Sequence, residues 1–189
     1  MKASNKIVDD EQIKGLLERS STLEAGFRLL MESYQERLYW HIRRIVIEHE
    51  DANDVLQNTL IKVFNSIERF KWEAKLYTWL YRIATNEAIT FLNKKRKKLA
   101  TPIDSEELNL SNKLQADSYF DGDEAQRQLQ LALQTLPEKQ RLVFNMRYFD
   151  ELSYHDISSI LGTSERGLKA SYHHAAKKIE RFIRQAANL

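Results

Sequence analysis

LSYHDISSILGTSERGLKASYHHAAKKI, residues 152–179, reads as two helices broken by a glycine turn. Ser153 followed three residues later by Asp156 is a capping pair that opens a helix. Gly162 is placed to end that helix in a left-handed residue, and Ser164 to cap the next. Ile157, Ile160 and Leu161 give the first helix an inward stripe, while Leu168, Tyr172 and Ala175 or Ala176 anchor the second. This is helix-turn-helix spacing. The remaining face of the second helix presents Arg166, Lys169, Ser171, His173, His174 and Lys177. Such a face suits a major groove, with early residues at base edges and later cations at phosphates. A helical hairpin with a solvated basic face is the competing explanation.

The same periodicity extends outward through the chain. Its 189 residues include five Gly and two Pro, apolar residues recur at three- and four-residue spacing, and no alternating strand pattern is present. The expected fold is all-α. Ser21 or Thr22 caps a helix that carries Phe27, Leu30, Tyr34, Leu38 and Ile42 on one face and ends near His49. A second helix opens at Asp51 as cap, with Asp54 adding charge at its positive end, and runs to about Ile67. A turn at ERFKWEAK leads to a long helix from about Leu76 to Lys95. Near Asp123 a new helical block begins, and Pro137 sits at a first helical position, where its missing N–H is no loss.

Between the blocks, TPIDSEELNLSNKLQADSYFDG is polar, acidic and weakly periodic, and reads as a flexible linker. Two small helical domains follow from this, residues 1–98 and 123–189, joined by an acidic linker at 99–122. Charge is distributed accordingly. Residues 1–98 hold 18 Lys/Arg against 14 Asp/Glu, residues 99–125 hold one Lys against seven acids, and residues 126–189 hold ten bases against six acids. Basic blocks suit polyanion partners, and the acidic stretch should stay off DNA.

Other function classes find little support. The absence of cysteine removes disulfides and thiolate metal sites and points to a reducing compartment, so the cytoplasm is the expected location. Neither a signal peptide nor a membrane span is legible. There is no phosphate-binding glycine loop and no HExxH, and His41, His49, His155, His173 and His174 lack spaced carboxylate partners. Neither an enzymatic role nor a cofactor or metal is expected.

The N-terminal block holds a second cluster. Around the ERFKWEAK turn lie Phe70, Trp72, Tyr77, Trp79 and Tyr81, interleaved with Arg69, Lys71, Lys75 and Arg82 and followed by Lys94, Lys95 and Arg96 within the run KKRKK. Aromatic rings beside cations suit unstacked bases, with the cations on the backbone. Trp79 and Tyr81, within the helix, are expected to serve at least partly in packing.

Three segments carry a family resemblance. DANDVLQNTLIKVF at residues 51–64 resembles the polymerase-docking segment of sigma factors, usually seen as DAEDLVQETFLKVF. FKWEAKLYTWLYRIATNEAITFL is similar to their promoter-melting region, and LPEKQRLVFNMRYFDELSYHDISSILGTSERGLKASYHHAAKKI to the region that reads the upstream promoter element. The order and the short linker resemble the extracytoplasmic-function group of the sigma-70 family. The resemblance implies a non-catalytic subunit that binds core RNA polymerase through Asp51, Asp54, Val55, Gln57 and Asn58. It implies −10 recognition and melting by Phe70, Lys71, Tyr77, Trp79, Arg82 and Asn86 with Lys94, Lys95 and Arg96. Reading of −35 falls to the basic helix face. Promoter DNA, duplex and melted, is the implied ligand, and an anti-sigma factor is implied from the family alone.

This sequence departs from the family pattern in places. Ser171, His174 and Ala176 stand where arginines are usual, Asn53 and Asn58 where acids are common, Trp72 where glycine is common, and Thr90 where aspartate is frequent. The base preference of other members therefore does not transfer. A helix-turn-helix repressor would need a dimer seam, which is not legible here, and a pure protein adaptor leaves the KKRKK run unexplained.

Overall fold

The computed structural model describes residues 10–99 and 124–187, and every regular element among them is helical. The chain divides into two compact units, residues 1–92 and 93–189. The segment expected as a linker, residues 99–122, lies outside the described residues apart from Leu99.

The first unit contains helices α1 (Asp10–Leu17), α2 (Leu23–Val46), α3 (His49–Ser66) and the start of α4 (Leu76–Leu99), with single 3-10 turns at Ser20–Thr22 and Ile67–Arg69. Helix α1 was not legible as an element, because eight residues are too few to hold a helix without tertiary contacts. Those contacts are present. Ile13 and Leu17 are buried, and an added Cβ on Gly26 of α2 would lie 3.0 Å from the side chains of Leu16 and Leu17, so a larger residue there forces these neighbours to shift. The Tyr34 hydroxyl donates to Asp10 Oδ1 at 2.5 Å, and burial together with this bond holds the phenol well above its ordinary pKa range.

Helix α2 follows the expected stripe, with Leu30, Tyr34, Leu38 and Ile42 buried and Phe27 half-buried. It ends at Val46 rather than near His49, because Ile47 takes φ 73° and donates its N–H to the Arg43 carbonyl. The cap of α3 is a correction. Glu48 occupies the N-cap, so Asp51 does not cap the helix; it joins Glu50 in the first turn, where negative charge still meets the positive helix end. Ala52, Val55, Leu56, Thr59 and Val63 form its inward stripe. Helix α4 starts at Leu76 as expected and runs four residues beyond Lys95, so that Arg96, Lys97 and Lys98 lie in its last turn.

Leu76, Leu80, Tyr81, Ala84 and Ala88 turn α4 inward. Between α2 and α4 a buried polar pair is closed. The Thr85 hydroxyl gives its proton to the Tyr81 carbonyl at 2.6 Å, so His41 Nε2 donates to Thr85 Oγ1 at 2.9 Å.

The second unit contains α5 (Glu124–Gln134), α6 (Glu138–Tyr148), α7 (Tyr154–Leu161) and α8 (Glu165–Ala187). Pro137 is the N-cap of α6, one position before its expected place, with φ −53° and ψ 140°. Ala132, Leu133 and Leu136 of α5 and its end, Phe144 of α6, and Ala175 and Ile179 of α8 form the core, with Leu129, Phe149, Tyr172, Ala176 and Phe182 packed against it. Helix α8 is thereby held along its length by α5 and α6 as well as by α7.

Gly26→Val is expected to destabilise the first unit by ~1–3 kcal/mol through overpacking, outweighing the few tenths of a kcal/mol that removing a helical glycine returns. Thermal unfolding together with hydrogen-exchange protection in α1 measures this. Unchanged stability and protection would contradict packing through residue 26.

Candidate nucleic-acid interface

The helix-turn-helix is built by its caps. The Asp156 amide donates to Ser153 Oγ at 3.1 Å, and the serine hydroxyl also bonds the Asp156 carboxylate. Gly162 ends α7 at φ 64° and ψ 26°, in the left-handed region that glycine enters without Cβ strain. The Gly167 amide then donates to Ser164 Oγ at 3.3 Å, opening α8. One contact across the turn was not anticipated: His155 Nδ1 lies 3.5 Å from Glu165 Oε1.

Leu168, Ala175 and Ile179 are buried, which fixes the rotation of α8. Arg166, Lys169, His173 and Lys177, spaced by three and four residues, are exposed together, with exposed His174 beside them and Ser171 half-buried at the edge. The Lys169 ammonium stands 5.7 Å from the centre of the Tyr154 ring, which the Arg147 guanidinium also approaches at 5.5 Å. Tyr154 thus orients Lys169 from α7.

In the first unit, Phe70 ends the 3-10 turn, and its ring stacks on Trp79 of α4 at 4.6 Å and 22°. Beside them is an open depression of ≈ 360 Å³ lined by Ser66, Arg69, Phe70, Lys71, Glu73, Ala74, Trp79 and Arg82. It brings together four of the expected site residues: Phe70, Lys71, Trp79 and Arg82. Tyr77 lies outside this lining, with Lys75 Nζ 3.2 Å from its hydroxyl. Asn86 is also outside it, exposed one turn beyond Arg82 on α4. Tyr81 is core, buried against His41 at 4.8 Å, whereas Trp79 is only half-buried. Lys94 and Arg96 are exposed and Lys95 half-buried near the C-terminus of α4, where cations complement the helix dipole.

Trp72 adopts φ 58°, a conformation that costs a residue with a Cβ ~1–2 kcal/mol. Its ring lies 4.8 Å from Phe70, and Lys14 of α1 places its ammonium 5.6 Å from the ring centre. An aromatic pair returns ~0.5–1.5 kcal/mol and an exposed cation–π contact ~0.5–1 kcal/mol, so these contacts roughly offset the strain.

The outward stripe of α3 carries Asp54, Gln57 and Asn58, all exposed. Val55 does not share it: the side chain is 1% exposed and packs inward, and Asp51 is half-buried beside Arg43. Two residues that sequence reasoning missed take the stripe further, Ile61 at 58% and Phe64 at 49% exposure. Their signal was present, as apolar residues outside the inward period. Phe64 meets half-buried Phe27 of α2 edge-on at 5.0 Å. Among the described residues no cluster of three metal-ligating side chains occurs, and no helix is long and apolar enough to cross a membrane.

Comparison with known proteins agrees with this arrangement. A model of sigma-70 region 2 matches residues 30–98, and one of sigma-70 region 4 matches residues 126–179. The extracytoplasmic-function sigma-E factor of Haemophilus influenzae is 30% identical over 168 residues, covering 84% of this chain and 87% of that protein. The extracytoplasmic-function sigma factor SigW of Bacillus subtilis is 28% identical, covering 84% and 89%. Among solved structures, CnrH in complex with the cytosolic domain of CnrY has TM-score 0.68 at 18% identity, covering 94% of this chain and 97% of that one. The sigma factor RpoE of Bartonella quintana in complex with the anti-sigma factor NepR has TM-score 0.66 at 18% identity, covering 84% and 96%.

Because Ile61 points outward and Val55 inward, Ile61→Lys is expected to change unfolding free energy by no more than ~0.5 kcal/mol, whereas Val55→Asp should cost at least ~3 kcal/mol. Urea denaturation distinguishes them. Equal losses would refute the orientation of α3.

Proposed function

The chain belongs to the sigma-70 family, and from that premise we propose that its helix-turn-helix unit reads the upstream promoter element while its N-terminal unit docks on the polymerase and captures the opened strand. It is a sigma factor of the extracytoplasmic-function group that binds core RNA polymerase and directs promoter-specific initiation. Bond-making stays with the polymerase, and the protein acts in the cytoplasm. The observation that supports this division best is the pairing of an aromatic, cation-lined pocket in one unit with an exposed basic recognition helix in the other.

On this reading residues 1–98 form the docking and −10 domain and residues 123–189 the −35 domain, with 99–122 joining them. Core polymerase binds the outer stripe of α3. Asp54, Gln57 and Asn58 give it polar register, while Ile61 and Phe64 contribute burial of about 25 cal/mol per Å² of apolar surface covered. An anti-sigma factor that occupied the same stripe would silence the protein by exclusion. At −35, Arg166 and Lys169, near the N-terminus of α8, reach base edges, with Ser171, His173, His174 and Lys177 along the groove wall and phosphates.

At −10 the DNA must also be opened. Each base-pair step lost forfeits ~1.4 kcal/mol of stacking, and capture of one base on an aromatic ring returns ~1–3 kcal/mol. One captured base therefore offsets about one or two steps. Phe70, Trp79 and Arg82 receive the flipped base, Asn86 and Tyr77 contact its neighbours, and Lys71, Lys94, Lys95 and Arg96 hold the backbone.

Run-off transcription with core polymerase on genomic fragments should yield discrete start sites that depend on the added protein. The variant Asp54→Arg/Gln57→Ala should lose co-elution with core and transcription while keeping its helical content, since a reversed interfacial charge repels where a deleted one only weakens. Absence of specific starts with wild-type protein would refute the function, and unchanged co-elution of the variant would remove α3 from the docking face.

Lys169→Ala should relax specificity at one −35 base pair by ~1–3 kcal/mol, while Lys177→Ala should weaken all sequences alike and reduce the salt slope by about one. Competition binding by the holoenzyme on single-base promoter variants at several salt concentrations separates the two. Identical behaviour of both variants would contradict the orientation of α8 in the groove.

A further inference from the structure

We propose that Trp72 is a second stacking platform for an unpaired base of the opened strand, adjoining the Phe70–Trp79 pocket, and that Lys14 of α1 supplies the phosphate contact for the same nucleotide. The inference rests on the reading of this turn as the strand-capturing element and goes beyond it to a residue outside the pocket lining.

Three observations carry it. Trp72 holds a large side chain at φ 58°, a conformation that glycine enters freely and bulky residues enter rarely, so the position tolerates strain to keep an aromatic ring. The contacts the ring makes with Phe70 and Lys14 in the free protein roughly offset that strain. Trp72 and Trp79 both contact Phe70, at 4.8 and 4.6 Å, so the platform and the pocket share a ring. Because both indoles adjoin the same ring, neighbouring nucleotides of one strand, about 3.4 Å apart when stacked, can reach the pocket and Trp72 together.

Lys14 completes the site. Its side chain is half-exposed, on a helix positioned against α2 by Gly26, and its ammonium covers the Trp72 ring. Stacking of a base on an indole is worth more than an exposed cation–π contact, so an incoming base displaces the ammonium from the ring. The displaced cation then lies beside the nucleotide, and its flexible four-carbon stem lets it meet the phosphate. In the free protein Lys14 lies over a half-buried indole.

The test uses holoenzyme reconstituted with the full chain, on promoters pre-melted around −10 that carry 2-aminopurine at successive non-template positions. With wild type, two neighbouring positions should be quenched, one by the pocket and one by Trp72. Trp72→Gly and Trp72→Asn, both suited to positive φ, should lose quenching at one position only and shorten the open-complex lifetime about tenfold. Trp72→Phe should restore most of both, and Lys14→Gln should keep the quenching but lower the salt slope of binding by about 0.7, the value for one single-strand phosphate. Unaltered quenching and lifetime in the glycine and asparagine variants would overturn the proposal while leaving the pocket reading intact. No quenching at any position with wild type would instead overturn the strand-capture reading, and the proposal with it.

Discussion

The buried hydrogen bond from His41 to Thr85 sets how α4 is rotated on α2, and the outer surface of the first unit depends on that rotation. Both partners are excluded from water, and an unmade bond there would leave a polar group unsatisfied at a cost of about 1–3 kcal/mol. A turn of α4 by one residue would lose this pairing together with the burial of Leu80, Tyr81 and Ala84. With α4 held this way, the partly exposed ring of Trp79 stacks on Phe70, and Arg82 and Asn86 face solvent one turn apart. The Lys62–Glu87 ion pair ties α3 to the same helix. The aromatic pocket and the outer stripe of α3, to which strand capture and docking are proposed to belong, are therefore set by one packed three-helix frame.

That frame also explains the division between rigid and strained parts. Duplex recognition needs a helix whose rotation is fixed, and α8 obtains this from Leu168, Ala175 and Ile179 beneath and from caps at both ends of the turn before it. Single-strand capture needs rings that are not fully buried and a backbone that can bring them together. The segment between Arg69 and Leu76 is non-helical, and its positive φ at Trp72 lets Phe70 contact two indoles at once. A regular helix there would spread Phe70 and Trp72 to different faces.

Much of this organisation was legible because it is local. Ser153, Asp156, Gly162 and Ser164 act within four residues of themselves, so their capping roles could be read directly, and the inward stripe of α2 follows from its period alone. The misreadings arise where distant residues decide. Aspartate favours cap positions, which is what marks Asp51 in the sequence, yet α3 begins earlier, once Ile47 closes α2 at φ 73°. Helix α1 depends on Gly26 and Tyr34, neither of which marks an element near residue 10. Val55 follows the docking motif in sequence but the inward period in space. Ile61 and Phe64 were visible as apolar residues out of phase; only the packed helix shows how far each is exposed among the described residues, 58% and 49%.

The contact between Lys14 and Trp72 belongs to the last class, since no spacing rule links a helix near the N-terminus to a turn beyond α3. It shows how a departure from a family pattern acquires meaning. Where glycine is common, the turn is made without strain and without a ring. Here tryptophan accepts the strain, gains Phe70 as a neighbour and has its ring covered by a cation that a polyanion can draw away. The Trp72 ring and the Lys14 ammonium lie at the turn that, on the proposed reading, meets an opened strand, while Ser171, His174 and Ala176 stand where arginines are usual in the family. On the proposed reading, fewer cations on the duplex-reading face and an aromatic platform at the turn would shift the balance of affinity from binding the closed duplex toward holding the open one.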